Sequence, residues 1–159
     1  MNVQPTKSRR LTHLGTAAAT LALFGAVAFV TLPSDVSADE VKLYKDPSCG
    51  CCELHAEYLQ EHGFDVEIIP THDLSEINRK AGIAEGLQGC HTAIIGDYAV
   101  SGHVPVAAIE KMLTEKPDIA AISLPGMPQG SPGMGGTKQE PFTIYSMKKG
   151  AAPQVYMIE

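Results

Sequence analysis

The chain has 159 residues, 44% of them hydrophobic, and its 18 acidic and 12 basic residues give a formal net charge of −6. This length leaves room for one ordinary domain with its own core. Because the acidic excess repels phosphates, the composition disfavours binding to nucleic acid or to anionic lipid, but it does not disfavour binding of a cation.

The beginning of the chain predicts an export signal. Basic residues precede an uncharged run at residues 14–32, and small residues ending at Ala38 provide a cleavage site. We therefore expect residues 1–38 to be a signal peptide and residues 39–159 to form a mature domain in the periplasm. The uncharged run is also close to the roughly 20 residues that cross a bilayer, so an uncleaved membrane anchor is the alternative.

The first predicted elements are a strand and a helix. Residues 41–44 alternate between apolar and polar, and residues 46–48 break that pattern. A helix is predicted from residue 52 to 62, ended by Gly63 in a left-handed conformation. One side of this helix is expected to face the core, formed by Leu54, Tyr58 and Leu59.

A second strand and a short helix follow. Residues 64–68 alternate as a strand should. Asp73 and Glu76 have the spacing of a reciprocal cap, in which each side chain bonds a backbone N–H at the start of the helix. The helix that they introduce is predicted to stop near Gly82.

The next segment predicts a hairpin and a third helix. Residues 92–95 form a short apolar run, and the turn signal Gly96-Asp97 separates it from residues 98–100. The third helix is expected to end before Pro117 and to have an apolar face formed by Val106, Ile109, Met112 and Leu113.

Two further strands end the chain, at residues 142–147 and 154–158, after a loop rich in proline and glycine at residues 124–136. The order up to the third helix is β-α-β-α-β-β-α, with a cysteine motif where the first strand gives way to the first helix. This pattern predicts an α/β fold, a thioredoxin-like domain with a mixed central sheet, extended by a C-terminal β-hairpin.

Three of the four cysteines lie together, at Cys49, Cys51 and Cys52. The start of a helix favours thiolate over thiol, and thiolates are the form that binds metals. The fourth, Cys90, directly precedes the third strand, where a thioredoxin-like fold would bring it to the start of the first helix. Because thiolates are soft ligands, the set predicts a Cu(I) site, and the adjacent thiolates are suited to bridging more than one copper ion.

Three alternatives use the same cysteines. Two structural disulfides would need one bridge closed within residues 49–52, and so short a loop constrains the unfolded chain little. A thiol-disulfide oxidoreductase would use Cys49 and Cys52, although Cys51 would compete with them and no proline stands before the third strand, where such enzymes have a cis-proline. A tetrahedral zinc site is the third alternative.

Histidines and methionines near the cysteines are further candidate ligands. His91 directly follows the fourth cysteine and His103 precedes the third helix, so both are expected at the same end of the sheet. Imidazole ligands would extend the site from Cu(I) to Cu(II). His55 ranks below them because we expect it to be solvated. Met127 and Met134 in the proline-rich loop could bind copper weakly or pack as a lid.

Four motifs together resemble the thioredoxin-like metal-binding family of formerly unknown function that includes the CopG copper-resistance proteins. They lie at residues 45–52, 89–92, 100–105 and 125–134, and the resemblance extends over residues 41–158.

The resemblance implies a periplasmic protein of copper handling or resistance, whose copper would be held by the residues that match the family's cysteines, Cys49, Cys51, Cys52 and Cys90. The resemblance also implies interconversion of Cu(I) and Cu(II). Whether the protein is an enzyme, a copper oxidoreductase, or only binds the metal stays open. Its expected partners are copper ions, a periplasmic protein that delivers or exports copper, or an electron partner.

Overall fold

The computed structural model describes Met1 and residues 39–159. Apart from Met1, the predicted signal peptide lies outside the described residues, and so does its uncharged run at residues 14–32. Both therefore remain predictions. Within the part of the chain that the structure describes, no helix is long and apolar enough to cross a membrane.

Residues 39–159 form strands, three α-helices and one short 3₁₀ helix, at Glu85–Leu87. The helices are α1 (Gly50–Glu61), α2 (Leu74–Lys80) and α3 (Val106–Glu115). The strands are β1 (Glu40–Lys45), β2 (Asp65–Pro70), β3 (His91–Ile95), β4 (Tyr98–Ser101), β5 (Ala121–Ser123), β6 (Thr143–Met147) and β7 (Gln154–Ile158).

All the described strands belong to one sheet, in the order β2-β1-β3-β4-β5-β6-β7. β1 runs parallel to β2 and antiparallel to β3, and β3 pairs with β4 through the predicted hairpin. The α/β class, the β-α-β-α-β-β-α order and the C-terminal hairpin of β6 and β7 are confirmed. The thioredoxin-like assignment within that class stays a prediction.

The sequence analysis missed β5, which has only three residues and lies between β4 and β6. It is parallel to β4 and antiparallel to β6. Through β5 the C-terminal hairpin continues the central sheet. A run this short carries too little alternation to be recognised as a strand from sequence.

The predicted core face of α1 is wrong at Leu54, which is 52% exposed. The residues of α1 that the protein buries are Cys52, His55, Ala56 and Leu59. These four follow the spacing of three and four residues that defines one side of a helix. Leu54 and Leu59 are five positions apart and therefore point in different directions.

The predicted reciprocal cap of α2 is also wrong. Asp73 is the N-cap residue, but its side chain makes no capping hydrogen bond. Glu76 instead accepts hydrogen bonds from the guanidinium of Arg79 at 2.7 and 2.8 Å and lies 3.4 Å from Lys80 Nζ. Two cations one turn further along compete successfully for this carboxylate.

Candidate metal centre

The first three cysteines lie where β1 gives way to α1. The backbone N–H of Cys49 donates to the Asp46 carbonyl at 3.0 Å and closes a turn, so that Cys49 becomes the extended N-cap residue of α1. Cys51 and Cys52 follow in the first helical turn. Cys52 points into the protein and is fully buried, whereas Cys49 and Cys51 are half-buried.

The strand register brings Cys90 to the same place. β3 is antiparallel to β1, and His91, the first residue of β3, pairs with Lys45, the last residue of β1. Cys90 therefore lies beside the turn that leads into α1. Its Sγ atom is 3.4 Å from Cys52 Sγ and 4.0 Å from Cys51 Sγ.

The structure thus brings the four predicted cysteines together, with their sulfur atoms all within 4.8 Å of one another. Cys49 and Cys52 are joined by a disulfide, and Cys51 and Cys90 are free thiols. The arrangement differs from two structural disulfides, since only one bridge is formed among these residues. Reduction of that bridge by two electrons and two protons yields four thiols in one cluster.

Two glycines allow the chain segments at Cys90 and His103 to approach closely. A Cβ atom on Gly89 would lie 2.3 Å from Gly102 Cα, a distance that real contacts do not reach. Gly102 has a φ of +77°, which favours glycine, and a Cβ there would lie 2.4 Å from the Leu124 carbonyl oxygen. Because Cys90 and His103 each follow one of these glycines, their side chains meet.

Both histidines that the sequence proposes as neighbours lie against Cys90. Cys90 Sγ is 3.4 Å from His91 Nδ1 and 3.2 Å from His103 Nε2. These three ligand atoms form a second group within 4.8 Å of one another. Cys90 is thus the residue that the cysteine group and the histidine group share.

The expectation that His55 is solvated is wrong. His55 is fully buried, with its Nδ1 2.8 Å from His91 Nε2 and its Nε2 3.1 Å from the Val104 carbonyl oxygen. Its spacing of three residues from Cys52 placed it on the buried side of α1. The spacing could have predicted the burial of His55. It did not, because the sequence analysis placed Leu54 on the core face of α1 and so chose the wrong side of the helix.

Burial keeps the three histidines neutral. It lowers the pKa of His55 to about 4, and it also lowers the pKa values of His91 and His103 from the ordinary value of 6.5. A neutral imidazole retains a lone pair on one ring nitrogen, which is what a metal requires.

The Cys90 thiol, which lies outside the helix start, is held in its protonated form. Its burial, and secondarily the neighbouring Cys51, raise the pKa of the Cys90 thiol to about 12. At neutral pH a metal must therefore displace a proton from Cys90 in order to bind its sulfur.

The loop at residues 124–136 packs over this end of the protein. The Pro132 carbonyl lies 2.6 Å from His103 Nδ1, and Gly133 lies so close to α1 that a Cβ there would be 2.6 Å from the backbone nitrogen of His55. Met134 lines a shallow pocket together with residues of α1, and Met127 is 43% exposed. Their predicted part in copper binding stays a prediction.

The sequence analysis did not predict that a lysine, Lys45, is buried beside the turn that carries the cysteines. Lys45 is 1% exposed, and its Nζ donates to Glu53 Oε1 at 2.8 Å and to the Pro47 carbonyl at 3.4 Å. It thereby ties the end of β1 to α1. The signal was present, since Lys45 continues the alternation of buried Val41 and Leu43.

Comparisons with known proteins agree with these features. The family model described as "Protein of unknown function, DUF411" matches residues 87–134, the segment that contains Cys90, His91 and His103. Two solved structures of the copper resistance protein CopG, Form 2 and Form 1, are each 31% identical to this chain and cover 77% of it. The match spans 99% and 98% of those chains, with TM-scores of 0.72 and 0.71. No curated protein matches the sequence.

Proposed function

The chain belongs to the family of the copper resistance proteins CopG, and from this premise we propose that it binds copper, chiefly Cu(I), as part of copper handling. The ligands would be the thiolates of Cys49, Cys51, Cys52 and Cys90. The observation that carries the proposal is the convergence of these four sulfur atoms within 4.8 Å.

The chemistry of the donor atoms fits copper better than a hard cation. Thiolate sulfur is a soft ligand that selects Cu(I), and no carboxylate oxygen belongs to either group of ligand atoms found among the described residues. Cysteines in adjacent positions are suited to bridging two ions, which supports binding of more than one copper ion. Zinc also accepts four thiolates, so the two metals have to be compared directly.

The copper-binding form of the protein is the reduced one. In the disulfide between Cys49 and Cys52, two of the four sulfur atoms are bonded to each other and are not available as thiolates. Its reduction supplies the two missing thiols without a change in fold, because the bridge closes only one turn of chain at the start of α1.

Exchange between Cu(I) and Cu(II) would be supported by the histidines. His91 Nδ1 and His103 Nε2 each lie within 3.4 Å of Cys90 Sγ, and imidazole nitrogen is a good ligand for Cu(II). Oxidation of one bound Cu(I) releases one electron, which an electron partner would accept. We further propose that the protein acts in the periplasm, as the predicted signal peptide implies, and exchanges copper with a delivery or efflux partner there.

The test is an anaerobic titration of the fully reduced protein with Cu(I) against a chromophoric chelator, with Zn(II) titrated in parallel. We expect tight Cu(I) binding that is strongly weakened in Cys90→Ser, because a hard hydroxyl replaces a soft thiolate next to Cys51 and Cys52. Met127→Leu should have a much smaller effect, because Met127 is at most a weak copper contact. Equal Cu(I) affinity in Cys90→Ser and wild type, or a preference for zinc, would contradict the proposal.

The Cys49–Cys52 bridge favours disulfide exchange as a second candidate function. The free sulfur of Cys90 lies 3.4 Å from Cys52 Sγ, near enough to attack the bridge and release Cys49 as a thiol. Such activity predicts turnover of a dithiol substrate by metal-free protein. The raised pKa of Cys90 argues against it because thiolate is the attacking species. An insulin-reduction assay on metal-free protein distinguishes the two functions.

A further inference from the structure

Two buried histidines, His91 and His55, connect the candidate centre to the backbone on its far side. His91 Nδ1 lies 3.4 Å from Cys90 Sγ, His91 Nε2 lies 2.8 Å from His55 Nδ1, and His55 Nε2 lies 3.1 Å from the Val104 carbonyl oxygen. His55 and His91 are both fully buried. Each ring nitrogen of these two histidines therefore has one specific protein neighbour.

The direction of each hydrogen bond follows from the fixed end of the chain. A carbonyl oxygen can only accept, so His55 must donate from Nε2–H to Val104. A neutral imidazole has one N–H, which leaves His55 Nδ1 as an acceptor. His91 must then donate from its Nε2–H to that atom, and its own Nδ1 presents a lone pair towards Cys90.

His103 also directs a lone pair at Cys90, but a backbone carbonyl rather than a histidine fixes its orientation. Its Nδ1–H donates to the Pro132 carbonyl at 2.6 Å, so its Nε2 lone pair faces Cys90 Sγ. The protein thus fixes two imidazoles in opposite tautomers and directs a lone pair from each to one sulfur atom. For His103 the orienting group is a backbone carbonyl, whereas for His91 it is the side chain of His55.

We propose that His55 is a positioning residue: it accepts the hydrogen bond from His91 Nε2–H and thereby fixes His91 in the tautomer whose Nδ1 lone pair is directed at Cys90 and at a metal bound there. The inference rests on the proposed function for its consequence in copper binding, but the tautomer itself is a property of the metal-free protein. His55 is not a metal ligand, since both of its ring nitrogens are already bonded.

The tautomers can be read directly from long-range ¹⁵N–¹H correlation spectra of the reduced, metal-free protein. We expect Nε2–H for His55 and His91 and Nδ1–H for His103. In His55→Phe the acceptor is lost while the aromatic volume is kept, so His91 should change to Nδ1–H and donate to the Cys90 sulfur. His55→Asn places an amide oxygen near the former Nδ1 and should restore the wild-type tautomer.

The consequence for the metal is measured anaerobically on the same proteins as affinity for Co(II), a divalent ion that the free thiols, unlike Cu(II), do not reduce. Loss of a group that orients a ligand typically weakens metal binding about 10- to 100-fold, so His55→Phe should lose at least about 10-fold and His55→Asn should remain close to wild type. His62→Phe is the control, because His62 is an exposed histidine at the C-terminal cap of α1 that contacts the Tyr58 carbonyl.

The proposal is overturned if wild-type His91 carries its proton on Nδ1, or if His55→Phe leaves both the His91 tautomer and the Co(II) affinity unchanged. Wild-type protein that binds no copper would instead overturn the proposed function. In that case the spectra of the metal-free variants still decide whether His55 fixes the tautomer of His91.

Discussion

Acidification is expected to destabilise the metal-free protein well above the pH at which carboxylates protonate. In the folded protein burial lowers the pKa of His55 to about 4, whereas an unfolded chain titrates near 6.5. Between these two pH values His55 is protonated in the unfolded state but neutral in the folded state. Stability is therefore complete above pH 6.5 and is lost as the pH falls towards 4.

The magnitude follows from the shift of the His55 pKa. A difference of one pKa unit corresponds to 1.36 kcal/mol, so the shift from 6.5 to about 4 corresponds to about 3 kcal/mol. His91 and His103 shift in the same direction and add to the loss. Total stabilities of small domains are about 5 to 15 kcal/mol, so this is a large fraction.

The assay is urea unfolding of the reduced protein with a metal chelator, followed by far-ultraviolet circular dichroism from pH 7.5 to 4.5 at constant ionic strength. His55→Phe should flatten the dependence by up to about 1.4 kcal/mol per pH unit, the contribution of one proton. His62→Phe is the control, since this exposed histidine is the C-cap residue of the same helix.

An opposite trend arises from net charge. The chain has a formal charge of −6 at pH 7 and an isoelectric point near 5.5, so acidification towards pH 5.5 relieves repulsion and by itself stabilises the fold, whereas further acidification builds up positive charge. Comparing the variants at each pH removes this shared contribution. A wild-type slope in His55→Phe, or stability that is constant down to pH 4.5, would refute the argument that buried neutral histidines control the acid sensitivity.

Three further predictions concern the fold. Gly89→Ala should destabilise by about 1 to 3 kcal/mol in urea unfolding because its Cβ would lie 2.3 Å from backbone, whereas Gly86→Ala, where nothing lies within 4 Å, should change little. Leu59→Ala should cost about 2 to 5 kcal/mol by the same measurement, but Leu54→Ala less than about 1, so similar losses would contradict the assigned face of α1. Asp73→Ala should alter the thermal midpoint little, since its side chain makes no capping bond, and a loss of about 1 kcal/mol would reveal one.

The sequence was most informative where an apolar strand pattern was followed directly by a turn signal. The hairpin of β3 and β4 was predicted from an apolar run and a Gly-Asp turn, and the structure has it at those residues. The C-terminal hairpin was predicted in the same way. The position of Cys90 beside the first helix could be anticipated only through the order of the elements, because 38 residues of chain separate it from Cys52.

The sequence was least informative where tertiary contacts decide between equal local choices. Glu76 could cap α2 or pair with Arg79, and its local pattern favoured the cap. The environment of His55 depends on which side of α1 faces β3, and a single misassigned leucine reversed it. Neither outcome follows from propensity alone, since both depend on groups that lie on another element or one helical turn away.

The geometry assigns Cys90 a role that the other three cysteines do not share. Its sulfur contacts Cys51 and Cys52 on one side and the lone pairs of His91 and His103 on the other. Because the imidazoles are neutral, they have no proton to release when a metal binds, whereas the Cys90 thiol, with its pKa raised to about 12, does. Metal binding at Cys90 would therefore be coupled to the loss of its proton, and we expect the affinity of the proposed site to rise with pH through the physiological range.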